Sequence, residues 1–244
     1  MLRAVTFDLW QTLLLDTAEN LRLGREARLR EIGELLAGAG HAVSPAGLNL
    51  AYDHSWQRLE AVWRSHEDVG PRGQLRWMLE SLGVAGAVPE SSPLMAPLEA
   101  AYCEPILAFP PYPNPGALEL LAALKERGFM LGLICNTGRT PGRMLRRVLR
   151  RLCLAEHLSV MTFSDEVGLR KPRPELFRQT LAALGAAPAE AVHIGDDVDT
   201  DMAGARGIGM RAVHLCHATS ASPVPDPQEA VPTLTAFREL LLRA

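Results

Sequence analysis

Lysine is almost missing from this chain. Of 25 basic residues only Lys125 and Lys171 are lysines, and the rest are arginines. No function is read from that bias, but a lysine kept inside a polar loop of so arginine-rich a chain stands out. Cysteine is sparse: Cys103, Cys135, Cys153 and Cys216 show no CxxC spacing, so neither a zinc site nor a disulfide framework is readable. No run is long and apolar enough to span a bilayer. Asp8 and Asp16 interrupt the N-terminal segment, so no signal peptide is read there, and a reducing cytoplasm is the expected compartment. The net charge is only −3, and nothing global favours nucleic acid or an anionic membrane. There is no GxSxG elbow and no P-loop. "GARGIG", 204–209, has its glycines in the wrong order and follows no strand, which argues against dinucleotide binding.

What is present is a globular composition, with 48% hydrophobic and 22% charged residues over 244 positions. That length suits one large domain or one domain with an insertion. Five short apolar runs read as strands: 3–8, 129–135, 158–164, 191–196 and 211–216. They are continuous rather than alternating, as in a parallel sheet covered on both faces. Helical patterns lie between them at 115–128, 141–154, 173–185 and after Asp199. The alternation predicts a doubly wound α/β fold, a Rossmann-like parallel sheet, formed by residues 1–14 and 112–244. Residues 15–111 show no strand pattern. They carry amphipathic helical runs at 18–38, 45–65 and 71–82, too long for an ordinary connection, and are expected to form an inserted all-helical domain. "AFPPYPNPG", 108–116, is the expected return hinge, and "SASPVPDPQEAVP", 220–232, a surface loop before a last short helix.

In an open α/β sheet, ligands bind beyond the carboxyl ends of the strands. The strands deliver Asp8 there, then Cys135, Asn136 and Thr137, then Asp196 and Asp197, with Lys171 in the loop after the third strand. "GDDVDTD", 195–201, crowds four carboxylates within six residues, which is costly unless a cation or a helix N-terminus offsets it. Helix capping is the simplest role for Asp197 or Asp199. A calcium loop fits poorly, since Met202 stands where the glycine belongs and the closing glutamate is missing. With Asp8, the acids suit Mg²⁺, a hard cation that prefers oxygen ligands. Taken alone, Lys171 reads as a solvated loop lysine.

Together, "FDLWQTL" at 7–13, "LGLICNTG", "VGLRKPRPELF" and "HIGDDVDTDMAGA" resemble the four ordered motifs of the haloacid dehalogenase superfamily, over the whole chain. The helical insertion looks like that family's cap domain. The resemblance implies that Asp8 attacks phosphorus to form an aspartyl-phosphate. It implies Mg²⁺ on Asp8, the backbone carbonyl of Trp10 and Asp196. It makes Lys171 the group that offsets negative charge near Asp8, and Asp201 the group that holds Lys171 or a metal-bound water. Thr12, Cys135, Asn136, Thr137 and Lys171 would contact phosphate. The expected partner is a small phosphorylated metabolite, with no nucleic acid and no membrane. A homodimer is one option, but oligomeric state is not readable.

Two positions depart from that pattern. Most phosphatases of the superfamily have a second aspartate where this chain has Trp10, and an indole cannot relay a proton. General acid–base help is worth about 10²–10⁴-fold, so the substrate is expected to have a good leaving group, such as an acyl or aryl phosphate. Cys135 replaces a Ser or Thr and is a weaker donor. It is not a thiol-phosphatase nucleophile, because that pattern needs arginine at 141, which is proline. Dehalogenases of the superfamily also carry an aromatic residue at the place of Trp10, but their fourth motif is less acidic. A metal-independent 2-haloacid dehalogenase and a weakly active or non-catalytic binding protein therefore stay open as alternatives.

Other features have plainer explanations. The arginines of 138–152 lie at helical spacing around apolar residues and without interleaved aromatics, as on a solvated face. Trp56, Trp63 and Trp77 read as core or interface residues, with a place in a substrate pocket as the alternative. Arg22, Arg25 and Arg72 are candidates to meet a substrate anion, and nothing ranks them. His193, inside a strand, is expected to pack.

Overall fold

The computed structural model describes residues 1–216 and 229–243. In chain order, β1 (Ala4–Phe7) runs into Asp8, and β2 (Leu14–Leu15) follows one tight turn. Five helices come next: α1 (Ala18–Gly38), α2 (Pro45–Trp63), α3 (Pro71–Ser81), α4 (Met95–Cys103) and α5 (Pro105–Ala108). Then β3 (Tyr112–Pro113) leads to α6 (Ala117–Glu126), β4 (Met130–Cys135), α7 (Gly142–Arg151), β5 (Val160–Phe163), α8 (Ser164–Val167) and α9 (Pro174–Leu184). The chain closes with β6 (Ala191–Gly195), a π-turn at Val198–Met202, α10 (Ala203–Arg206), β7 (Arg211–Leu215), β8 (Ala230–Val231) and α11 (Leu234–Leu242).

The main sheet has the order β5-β4-β1-β6-β7-β8 and is parallel throughout. This is the expected doubly wound α/β architecture. The central strand β1 pairs with β4 on one side and β6 on the other, with Phe7 opposite Leu133 and Ile194. The chain builds outward from β1 in one direction, then returns to build in the other, so the end of β1 is a topological switch point. Side chains of alternate strand residues enter two buried apolar layers. Val5, Phe7, Leu131 and Leu133 belong to the larger one, and Ala4 and Ile134 to the smaller one under α9 and α10. Burial on both faces is why the strands read as continuous apolar runs.

The three helical runs expected between 18 and 82 are α1, α2 and α3, with ends two residues or fewer from expectation. Ser44 and Thr17 cap two of them by accepting from Gly47 and Asn20 backbone N–H groups. Sequence pattern missed α4 and α5, because α4 is only nine residues long and, Glu99 apart, has no polar stripe to mark a period, and α5 is a single turn. It also missed β2, β3 and β8, two residues each and below the length at which alternation can be seen. The expected return hinge at 108–116 includes β3, which pairs antiparallel with β2. Asn114 reinforces this ribbon, its Nδ2 donating to the Thr12 carbonyl at 2.8 Å. The loop expected at 220–232 lies outside the described residues up to 228; its end forms β8, which extends the sheet beside β7.

The arginines of α7 meet carboxylates and carbonyls rather than forming a bare stripe. Arg143 pairs with Glu99 at 2.8 Å, Arg147 with Glu104 at 3.6 Å, and Arg151 donates to the Leu107 carbonyl at 2.7 Å. All three partners lie in the helical segment before β3. Among the described residues, no helix is long and apolar enough to cross a membrane.

Candidate active site

Asp8 leaves β1 at the switch point, buried, its backbone N–H donating to the Ile194 carbonyl at 2.9 Å. The chain then closes one turn, in which Gln11 takes a left-handed conformation with φ 57°, a geometry that costs a non-glycine residue about 1–3 kcal/mol. Lys171 enters from the loop before α9, and its Lys171–Pro172 peptide bond is cis. Its ammonium group donates both to Asp8 Oδ1 and, at 2.6 Å, to Asp201 Oδ1. The lysine is 2% exposed, which rules out the solvated-loop role.

Asp201 is held by more than the lysine. Its Oδ1 also lies 3.0 Å from His193 Nε2, and its Oδ2 accepts from the Asp197 backbone N–H at 3.3 Å. His193 Nδ1 in turn lies 2.8 Å from the Thr6 hydroxyl. A buried polar chain therefore runs Thr6, His193, Asp201, Lys171, Asp8. The expectation that His193 merely packs is incomplete: the ring does pack edge-on to Phe177 at 5.2 Å, but it also orients Asp201. Nothing in the local pattern marks it, since a histidine in a strand looks alike in either role. Gly195 makes room for the arrangement; a Cβ there would stand 2.3 Å from the Asp201 carboxyl. Asp197 caps the π-turn, accepting from Asp199 and Thr200 N–H groups at 2.9 and 2.8 Å, which is the capping role expected for it.

Burial drives the electrostatics. It pushes the Asp8 carboxyl up to about 7; Lys171 opposes this, while Asp201 and Asp196 add to it. Asp196 is pushed up to about 6, by burial first and then by Asp201. Burial also opposes ionisation of Asp201, but Lys171 and His193 outweigh it and hold that carboxyl at about 2. One ammonium group serves two carboxylates, and the one with additional donors keeps its charge. Burial pulls the lysine down, yet Asp201 and Asp8 together raise it above its ordinary value.

One oxygen from each of Asp8, Asp196 and Asp201 lies within 4.8 Å of the others. Asp201 already accepts from Lys171, His193 and Asp197. The Asp8 carboxyl accepts a single hydrogen bond among the described residues, on Oδ1. Two carboxyls raised by burial first and then by neighbouring carboxylates, Asp201 in both cases, form a donor set that fits a hard divalent cation.

The residues expected to contact phosphate separate. Thr12 is fully buried, and its Oγ1 has no hydrogen-bond partner among the described residues, which is costly unless a ligand supplies one. Asn136 clasps the lysine loop: its Oδ1 accepts from Lys171 N–H at 2.8 Å and its Nδ2 donates to the Lys171 carbonyl at 3.2 Å. The Cys135 thiol sits in the apolar layer, and burial pushes it well above its ordinary pKa. Thr137 donates its backbone N–H to Ser164 Oγ at 2.7 Å, and its hydroxyl donates to Asp68 Oδ2 at 3.3 Å.

Asp68 escaped the sequence analysis. It comes from the loop between α2 and α3, and its side chain has no solvent exposure. Its Oδ2 accepts from Ser164 and, at 2.9 Å, from Arg170 Nη1. Its Oδ1 accepts from Trp63 Nε1 at 3.2 Å and Val69 N–H at 2.8 Å. Backbone bonds run alongside, from Asp68 N–H to Gly168 O and from Arg170 N–H to His66 O. A loop acid has no periodic signature, so only the fold reveals it.

Above this floor lies a cavity of about 540 Å³. Trp10, Asn136, Thr137, Arg139 and Arg170 line it from the sheet side, and Asp16, Arg25, Arg28, Tyr52, Asp53, Trp56, Trp63 and Phe109 from the other. Of the three expected arginines, Arg25 is in the wall. Arg22 instead pairs with Glu19 and Glu26, and Arg72 with Glu99. Trp56 and Trp63 line the cavity, whereas Trp77 stacks on Arg58 elsewhere.

The family described as haloacid dehalogenase-like hydrolase matches residues 2–209. The chain is similar to a phosphoserine phosphatase of Thermus thermophilus, 34% identical over 194 residues, covering 75% of this chain and 73% of the relative. It is also similar to a glyceraldehyde 3-phosphate phosphatase of Methanopyrus kandleri, 30% identical over 248 residues, covering 99% and 96%. Among solved structures it is similar to a 2-haloacid dehalogenase from Pseudomonas syringae, with TM-score 0.72 and 25% identity over 100% of this chain and 99% of that one.

Proposed function

Because this chain belongs to the haloacid dehalogenase-like hydrolases, we propose that it is a Mg²⁺-dependent phosphatase of small phosphorylated metabolites with Asp8 as nucleophile. The observation that carries the proposal is Lys171, whose ammonium group bridges Asp8 and Asp201 inside the buried carboxylate cluster. Two curated relatives named as phosphatases support the same reaction class.

Asp8 would attack phosphorus and displace the leaving oxygen, giving an aspartyl-phosphate that water then hydrolyses. Lys171 stays protonated and offsets the negative charge that gathers at Asp8. Asp201, fixed by His193 and Asp197, positions the lysine. The Thr12 hydroxyl gains a partner in a phosphate oxygen. Asn136 holds the lysine loop in place, and the Thr137 segment completes the wall. Asp8, Asp196 and the Trp10 carbonyl would hold the Mg²⁺, whose contribution is to neutralise phosphoryl charge. Residues 15–111 act as the cap over the cavity, with residues 1–14 and 112–244 as the core. The setting is the cytoplasm, and neither nucleic acid nor membrane takes part.

Trp10 lines the cavity where a proton relay would otherwise stand. Without that relay, a good leaving group is favoured, as in an acyl or aryl phosphate. The test is Mg²⁺-dependent phosphate release from acetyl phosphate, p-nitrophenyl phosphate and sugar phosphates, with Asp8→Asn as control. Equal rates for the two proteins sink the proposal; faster turnover of the sugar phosphates sinks the leaving-group preference. A second reading, 2-haloacid dehalogenase, is favoured by the aromatic residue at 10 and by the Pseudomonas syringae neighbour. Metal-independent chloride release from a 2-haloacid would establish it.

A further inference from the structure

Two guanidinium groups in the cavity wall are buried without a carboxylate partner. Arg28, on α1, is 6% exposed, and Arg139, on the loop after β4, is 9% exposed. Among the described residues neither forms an ion pair. Arg28 donates Nε to the Tyr102 carbonyl and Nη1 to the Tyr52 hydroxyl at 3.0 Å. Arg139 donates Nη1 to Ser55 Oγ at 3.1 Å and Tyr102 Oη at 2.7 Å, and Nη2 to the Tyr52 carbonyl at 2.8 Å. Arg28 Nη2 and Arg139 Nε donate to no protein acceptor among the described residues. The neutral oxygens are helped by ring faces, Arg139 lying 3.4 Å from the Tyr52 ring centre. Buried cations are nevertheless costly unless an opposite charge joins them.

The other two arginines of the wall are satisfied, Arg25 by Asp53 at 3.0 Å and Arg170 by Asp68 at 2.9 Å. Asp16 is the remaining acid of the wall. Among the described residues it forms no ion pair with Arg28 or Arg139; counted over the wall, two unpaired arginines against one acid leave a surplus of one positive charge. That surplus matches a carboxylate better than a second phosphate, which carries more charge. A carboxylate also fits the planar fork of arginine.

We propose that Arg28 and Arg139 bind a carboxylate of the substrate, so that the substrate is a phosphomonoester bearing a carboxylate group. The inference rests on the phosphatase reading of the Asp8 site. Arg139 belongs to the core and Arg28 to the helical segment, so a bound carboxylate touches both and ties them together.

The test reads binding rather than turnover. Phosphonates resist hydrolysis, and Trp10, Trp56 and Trp63 line the cavity, so tryptophan fluorescence reports occupancy. With Mg²⁺ present, the protein is titrated with phosphonoacetate, 3-phosphonopropionate and 4-phosphonobutyrate. Each is compared with the alkylphosphonate of the same chain length. For at least one length the carboxylate tightens Kd about tenfold or more, and Arg28→Gln and Arg139→Gln each remove most of that ratio. Equal Kd values at all three lengths in the wild-type protein overturn the inference without any variant. So does a ratio that survives both substitutions. Failure of the phosphatase reading is seen separately, as turnover that Asp8→Asn leaves unchanged.

Discussion

His193 Nε2 stands 3.0 Å from Asp201 Oδ1, and through that contact a residue inside the sheet governs the lysine that faces Asp8. Burial pulls the His193 pKa down, while Asp201 raises it in part, so the ring is neutral at pH 7 and one tautomer suffices to donate to Asp201 and accept from Thr6. Replacing it by His193→Phe removes one donor from Asp201 and leaves the Thr6 hydroxyl without a partner. Groups that orient a catalytic residue in this way are worth about 10–100-fold in activity, and the unpaired polar atoms cost about 1–3 kcal/mol. Initial rates and urea unfolding of the variant check both.

Gly195 and Asp201 approach so closely that any side chain at 195 displaces the carboxylate. Gly195→Ala is expected to lower turnover more than tenfold while costing only about 1–3 kcal/mol of stability. Loss of activity without loss of the unfolding transition is the pattern to look for. An alanine variant that keeps the wild-type rate contradicts the role of Asp201.

The pH dependence of stability follows from Asp8 and Asp196. Their folded pKa values, about 7 and about 6, exceed the ordinary 3.8. The folded state therefore binds protons more tightly than the unfolded one, and stability from these groups is lost as pH rises from about 4 towards 7. Mg²⁺ competes with those protons, so its stabilising effect should grow over the same range. Thermal unfolding with and without Mg²⁺ should show a small Tm difference at pH 5 and a larger one at pH 8. Asp8→Asn should raise the metal-free Tm at pH 8 and shrink the Mg²⁺ effect.

Asp68 joins the loop between α2 and α3 to Arg170, next to Lys171. Asp68→Ala leaves a largely buried guanidinium group unpaired, at a cost of about 3–5 kcal/mol. Urea denaturation measures that loss. Limited proteolysis should find new cleavage between 64 and 70 under conditions where the parent protein is intact.

Trp10 offers a gain-of-function test. Trp10→Asp puts a carboxyl group in the cavity wall near Asp8 and, on the proposed mechanism, should speed hydrolysis of a sugar phosphate by about 10²-fold or more, with much less effect on acetyl phosphate. Equal acceleration of both substrates argues against a missing proton as the reason for the leaving-group preference.

The strands were legible because burial on both faces writes an unbroken apolar run into each of them, and because a parallel sheet sends every strand's carboxyl end to the same edge. Asp8 and Asp196 could therefore be placed at that edge from order and spacing, as could the helical pattern of 18–82, whereas Lys171 and Asp201 were singled out through the resemblance of their motifs to the haloacid dehalogenase superfamily. The roles of His193, Asp68, Arg28 and Arg139 were decided only by tertiary structure. They act across the fold, His193 through Asp201 eight residues away and Asp68 on Arg170 across 102 positions. Charge balance in a cavity is a sum over residues that the chain brings together from distant segments, and no local period or spacing encodes that sum.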